Sequence, residues 1–374
     1  MTSPIPSKRL ISLDAFRGAT IIAMILVNNP GSWSAVYPQL RHAEWNGWTM
    51  TDWIFPFFLF TVGAVIPFSF ARRMENRTPA RQLYRHIGVR SAVMLCIGLF
   101  LNGFPYFDLS EIRIPGVLQR IAVCYGIASV IFLKSTNRGR VWWIVGLLSG
   151  YWLILQFIPV PGIGPGVYEP GKNLSNYIDS LFLAGHAWKE TAPWDPEGIL
   201  STLPAIATVL FGSLTGHLLR SDKSKEEKTA RMFVAGTLLL LLGAILDMWL
   251  PINKKLWTSS FAVFTAGWAN ICLAMCFWFF DVKGYTRYAR PLVIYGMNAI
   301  AVYAAADIVA VMLGTITVTG SAGTSISLQE YLYTGFFLPV ADPVNASLFF
   351  AIAFTLVMGL FVWVLWKKKW FFKV

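Results

Sequence analysis

Charge is the first thing this chain lacks. Only 13% of its 374 residues are Asp, Glu, Lys or Arg, against about 25% in an ordinary soluble domain. A water-covered globule of this size is excluded. Cysteine is also scarce. The four cysteines, Cys96, Cys124, Cys272 and Cys276, all fall inside apolar runs, so no disulfide framework is expected. Cys272 and Cys276 are one helical turn apart, but no histidine or carboxylate lies nearby to complete a metal site. They read as small packing residues, and no metal is expected. HExxH, GxSxG, Walker and GxGxxG patterns are missing. Those absences argue against a zinc protease, a serine hydrolase, an ATPase and a nicotinamide enzyme. No internal repeat is evident, and the first apolar run has no small-residue cleavage site, so no signal peptide is expected.

Apolar residues are what the chain has in abundance. They make up 56% of it, with mean hydropathy +0.56. Apolar runs near 20 residues recur from end to end, the length that crosses a hydrocarbon core of roughly 30 Å. The expected fold is all-α, a single polytopic transmembrane bundle over 1–374. About ten spans are expected, at 18–37, 50–71, 88–104, 116–133, 141–159, 198–219, 232–251, 258–280, 291–313 and 344–366. Of the lysines and arginines, 24 lie at the two ends of the chain and in alternate connections, and six lie in the others. Basic residues collect in cytoplasmic loops. Both termini are therefore expected in the cytoplasm and the segment around residue 42 outside. The net charge of +12 is accounted for by these loops, and no nucleic-acid partner is expected. Outer loops 160–197 and 314–343 are expected to cap the site, with "SLQEYLYTGFFLPV" forming a short interfacial or re-entrant helix.

Polar groups in such a chain are costly, so they are candidates for function. The richest stretch is "RHAEWNGWTMTDW" at 41–53. Asp52 lies ten residues after His42 and either caps a helix or orients the imidazole. "VNNPG" at 27–31 interrupts the first run, and Pro30 is expected to break the helix there. "RIPGVLQRI" at 113–121 puts Gln119 and Arg120 near a span start, where a buried guanidinium needs an anionic partner. "DPEG" at 195–198 offers Asp195 and Glu197, as helix caps or as ligands for a cationic or hydroxyl-rich molecule. "PINKKLWTSSF" at 251–261 is a tight turn with two lysines. "GMNAIAVYAAAD" puts Asn298, Tyr303 and Asp307 inside span 9. His86 and His217 border basic loops and read as structural, whereas His186 is a weaker candidate for the site.

Six ordered motifs carry a resemblance over about residues 8–310: "SLDAFRG", "HAEWNG" followed by "TDWIFPFFLFTVG", "RIPGVLQRI", "DPEGILST", "PINKKLW" and "GMNAIAVY". Together they resemble the heparan-α-glucosaminide N-acetyltransferase family, including its shorter bacterial members. The resemblance implies transfer of an acetyl group from cytosolic acetyl-CoA to the amino group of a glucosamine across the membrane. It implies His42 as the catalytic residue and matches Asn28 to the asparagine that ends the first run, although the spacer from Asn28 to His42 is longer here. A multi-pass protein of the bacterial inner membrane and a homodimer follow as expectations. The large N-terminal lumenal domain of the animal enzyme has no counterpart in the sequence, so a small periplasmic amino sugar is a more plausible acceptor than long heparan chains.

The chemistry explains the residue choice. An amine attacks a thioester only as the free base, and His42 is suited to accept its proton. It acts either as base in a ternary complex or as a transient acetyl carrier. Asp52 would hold it. Trp45 and Trp48 would stack on the sugar, and Asn46, Asp195 and Glu197 would bond its polar groups. Asn28, Asn29 or Asn298 would donate to the oxyanion. The cofactor-binding candidates are Arg17, Gln119, Arg120 and Asn298, with Arg17 first for the CoA phosphates and Lys8 and Arg9 behind it. The competing readings are a transporter of amino sugars such as N-acetylglucosamine, which broken helices also suit, and a structural protein of the envelope.

Overall fold

The computed structural model describes residues 10–319 and 324–372; Lys8 and Arg9 lie outside them. The helices in chain order are α1 (Ile11–Asn28), α2 (Ile54–Glu75), α3 (Ala80–Gly103), α4 (Val117–Lys134), α5 (Asn137–Phe157), α6 (Leu174–Phe182) and α7 (Thr202–Arg220). They continue with α8 (Lys225–Leu246), α9 (Ser259–Phe277), α10 (Thr286–Met297), α11 (Ala299–Thr315), α12 (Leu328–Leu332) and α13 (Pro343–Lys367). Among the described residues, nine helical segments are long and apolar enough to cross a bilayer. α10 and α11 add a tenth span if they count together, bent by 68° at Asn298. The molecule is a multi-pass, mostly helical membrane protein.

Two boundaries differ from the sequence reading. The first span was expected at 18–37, but the helix runs Ile11–Asn28. The apolar residues after Pro30 form an irregular segment that docks on the start of α13, with Gly31 N donating to Ser347 O (3.2 Å) and Tyr37 OH to Asn345 Oδ1 (2.7 Å). They are apolar because they pack on a helix, not because they cross lipid. The ninth span, expected as one segment, is divided at Asn298. The 314–343 connection contains a small antiparallel hairpin, Thr317–Thr319 with Ser325–Ser327, then α12 and a π-helical turn over Tyr333–Phe337. The 160–197 connection is ordered around α6, whose start is capped by Asn173.

With no solvent-driven collapse in lipid, close helix approach depends on small residues. α2 and α7 meet backbone to backbone: a Cβ on Gly63 would lie 1.9 Å from Val209 O, and one on Gly212 would lie 2.0 Å from Phe60 O. α8 packs along α9 and α1 along α10. The connections alternate between two ends of the bundle. At one end the Asp281 carboxylate accepts from the backbone N–H of Ile11 and Ser12, at 3.2 and 2.9 Å. At the other end the 41–53 stretch meets the 251–258 turn.

Candidate active site

The 41–53 stretch is held by its own short residues. Gly47 has φ +91°, a backbone that a Cβ-bearing residue resists, and its N–H reaches Ile252 O at 2.8 Å. Asp52 sits in a turn of 3₁₀ helix, Met50–Trp53. It is buried, with its side chain only 1% exposed, whereas that of His42 is 43% exposed. The two readings of Asp52 are both realised, one by each oxygen. Oδ2 accepts from the backbone N–H groups of Ala43 and Thr49, at 3.0 and 2.9 Å. Oδ1 lies 2.7 Å from His42 Nδ1. A carboxylate only accepts, so Nδ1 carries the ring proton and the lone pair sits on Nε2. Fixing the tautomer through the far nitrogen is the usual way an imidazole is prepared as a base.

A third group completes the cluster. Lys254 Nζ lies 3.2 Å from His42 Nε2, 2.9 Å from Nδ1 and 3.6 Å from Asp52 Oδ1. The near-equal distances to the two ring nitrogens place Nζ over the ring face, which leaves the in-plane lone pair of Nε2 open. The turn that delivers Lys254 is tightly specified. Asn253 is fully buried. It accepts from Leu256 N at 2.9 Å and donates to Asn46 Oδ1 at 3.1 Å. Trp257 takes φ +49°, a strained value for an aromatic residue. It is held there by burial against Phe55 and Phe261. Partial burial, and then the Lys254 ammonium, hold the His42 pKa below the ordinary histidine value. Burial also lowers that of Lys254, which the Asp52 and Glu197 carboxylates only partly offset. The burial of His42 and the Lys254 ammonium both favour the neutral imidazole.

Beside this cluster lies a second one. Arg113 forks onto Asp195 (Nε to Oδ2 at 2.8 Å, Nη2 to Oδ1 at 2.7 Å) and also bonds Glu197. Asp195 takes two backbone N–H groups as well, from Trp188 and Glu197. Burial opposes its ionisation, but Arg113 and these N–H groups outweigh it and hold the carboxyl below its ordinary range. Asp195 has no bonding capacity left for a sugar; its place in the fold is to shape the loop that presents Glu197. Glu197 is partly open and acts electrostatically on both His42 and Lys254.

The remaining candidates are distributed as follows. Trp45 is half-buried, edge-on to Trp194, with Nε1 donating to Tyr168 O at 2.8 Å. Trp48 is the more open ring, packed on Trp53 and Phe264. Asn46 is exposed and tied to Asn253. Asn28 is exposed at the end of α1, and no hydrogen bond among the described residues joins it to His42 or Asp52. Asn29 turns back to Ile25 O at 2.7 Å and closes the helix. His186 binds Ile112 O at 2.8 Å and holds the 104–116 loop.

A cavity of about 630 Å³ enters the bundle from the opposite end. Arg17, Arg73, His86 and Arg90 line its mouth, and Phe58, Val117 and Tyr303 line its apolar interior. Arg17 lies in this lining, where Asp14 (2.7 Å) and Gly296 O (2.6 Å) engage it. Gln119, Arg120 and Asn298 are not among the lining residues. Arg120 turns away to Gly198 O and Ser201 Oγ and lies over the Trp257 ring, tying α4 to α7. Gln119 packs on Gly98 and Gly116. The Asn298 amide bridges Trp370 O and Phe372 N, each at 3.1 Å, and fixes the chain after α13. Their neighbours Leu118, Ile121, Met297 and Ala299 do face the cavity, so the motifs are close but the polar side chains point elsewhere.

The model of the catalytic region of heparan-alpha-glucosaminide N-acetyltransferase matches residues 9–250. The chain belongs to this family. The matched region contains His42, Asp52, Arg113, Asp195 and Glu197 and stops just short of Lys254. Heparan-alpha-glucosaminide N-acetyltransferase of Homo sapiens is 30% identical over 79% of this chain and 52% of its own length. The protein of that name from Mus musculus is 28% identical over 98% of this chain and 61% of its own length. The chain therefore spans about half to three fifths of these curated relatives. The second alignment runs past the family-model match and spans the segment that holds Lys254. Sequence reasoning named the two-lysine turn at 251–261, read His86 as structural and counted Arg73 and Arg90 as loop charge. Nothing local tied Lys254 to His42, 212 residues away.

Proposed function

We propose that this protein transfers an acetyl group from acetyl-CoA to the primary amine of a glucosamine-type sugar. Family membership and the names of the relatives support the reaction class. The observation that carries the reading for this chain is the 2.7 Å contact of a half-exposed His42 with a buried Asp52. That pair leaves Nε2 as a neutral proton acceptor facing a wet surface. The amine binds near Glu197 and Trp48, gives its proton to Nε2 and attacks the thioester carbonyl. Alternatively, Nε2 takes the acetyl group first and the amine attacks the acyl-imidazole. Once His42 is protonated, the Asp52 carboxylate stabilises the imidazolium.

The basic-mouthed cavity suits the donor. Arg73 and Arg90, with Arg17, offer cations to phosphates, His86 offers a hydrogen-bonding imidazole beside them, and the apolar interior suits a pantetheine arm. The lining includes Tyr303 and Val117, and Glu197 is close enough to act electrostatically on Tyr303. The acetyl group would therefore pass between Tyr303 and the Arg113–Glu197 cluster to meet His42. In this reading the cavity mouth faces the cytoplasm, His42 faces the periplasm of a bacterial inner membrane, and the acceptor is a small amino sugar. The test is incubation of the purified protein in detergent with labelled acetyl-CoA and glucosamine. N-acetylglucosamine is the expected product. Sugar binding with no acetyl transfer would instead support the transporter.

A further inference from the structure

The Lys254 side chain is a primary amine held against the base that the proposed reaction uses on a primary amine. Its Nζ is 3.2 Å from His42 Nε2 and 2.9 Å from Nδ1. Its side chain is only 17% exposed, and the Asn253 and Trp257 turn fixes its base. The adjacent Lys255 is a built-in comparison: its Nζ donates to Glu44 O at 2.9 Å and has no such contact with the imidazole. Any route that brings a thioester carbonyl to His42 also brings it within reach of Lys254 Nζ.

We infer that Lys254 is a self-acetylation site, modified at Nζ by the enzyme's own acetyl donor when no acceptor sugar is bound. This rests on the acetyl-transfer reading above. The ammonium passes one proton to His42 Nε2, and the freed lone pair attacks the acetyl carbonyl. The C–N bond forms, the C–S bond breaks, and CoA leaves as the thiolate, which takes the proton from His42; the nitrogen sheds its second proton to solvent as the amide forms. The products are acetyl-lysine, CoA thiol and one released proton, with no oxidant or further reactant. The lowered basicity of Lys254 helps the first step. The resulting amide is far more stable than an acyl-imidazole, so it is an end state and not a carrier. It replaces a cation beside His42 with a neutral acetamide in the space where the acceptor amine has to bind. The reaction is thereby shut off when donor is plentiful and acceptor is absent.

The experiment incubates purified protein with acetyl-CoA alone and follows residues 250–260 by peptide mass spectrometry. Acetylation is expected at Lys254 and not at Lys255, with transfer activity falling in parallel. Excess glucosamine should protect Lys254. Lys255→Arg should leave the modification in place, and His42→Ala should slow it by about 10²-fold or more. Equal acetylation of Lys254 and Lys255, or an undiminished rate in a folded His42→Ala protein, would mean simple chemical acetylation and would overturn the inference. An unmodified Lys254 in protein that does acetylate glucosamine would overturn the inference alone. Failure of both reactions would remove the functional reading with it.

Discussion

The smallest unit that explains this protein is the trio His42, Asp52 and Lys254. Asp52 divides its two oxygens between the imidazole and the loop backbone, so removing its charge touches both. Asp52→Asn is expected to cut turnover by about 10²-fold or more, because an amide at Oδ1 no longer fixes the tautomer or stabilises the imidazolium. Acetyl-CoA binding should stay near wild type, since the cavity mouth is at the other end. Kinetics and thermal melts on one preparation separate this from unfolding; a folded and fully active Asp52→Asn protein would refute the pairing. Lys254 acts through charge as well as proximity. Burial and the ammonium together depress the His42 pKa. Only neutral His42 accepts a proton, so activity is lost as pH falls through that pKa. Lys254→Met removes one depressing influence, raises the His42 pKa and moves the acid limb of the rate profile to higher pH. Comparing the variant with wild type cancels the titration of the substrate amine. An unmoved acid limb would show that Lys254 does not govern His42.

Elements bring these residues together, and here the sequence was informative in some places and silent in others. The His42–Asp52 pair was legible because its two members are ten residues apart in one polar stretch between apolar runs. Lys254 was not, because it lies 212 residues from His42 and only the packed α8–α9 connection reveals the contact. The spans were legible from length and apolarity alone. The end of α1 was misplaced because the segment after Pro30 is apolar for a different reason, packing on α13. The α10–α11 break was hidden because both halves are apolar and Asn298 reads as one polar residue in a span. Asp195 looked like a ligand because two carboxylates in a loop can serve either purpose; the Arg113 fork from a distant loop decided it. Arg113→Met should therefore act on the fold more than on substrate. It strands the buried Asp195 carboxylate and is expected to destabilise by about 3 kcal/mol or more. Adding Asp195→Asn should recover part of that loss. A melt of Arg113→Met equal to wild type would show that the fork is not structural.

At the scale of the whole molecule, the protein is a membrane-crossing bundle with a basic-mouthed cavity at one end and a buried-carboxylate imidazole at the other. In the proposed orientation, which rests on the 24-to-six bias of basic residues, the cavity mouth faces the cytoplasm. Single cysteines on a cysteine-free background should label from outside at position 44 and not at position 225; equal labelling at both would reverse or dissolve that topology. The central claim joins the two ends: a donor bound through the cavity yields its acetyl group at His42. The measurement that tests it most directly compares His42→Ala with wild type for two properties at once, acetyl-CoA binding by calorimetry and glucosamine acetylation by mass spectrometry. Residue 42 lies in a half-exposed connection, so the variant should fold and bind acetyl-CoA as wild type does while its turnover falls by about 10²-fold or more. Retention of more than about a tenth of wild-type turnover in a folded His42→Ala protein would contradict the account.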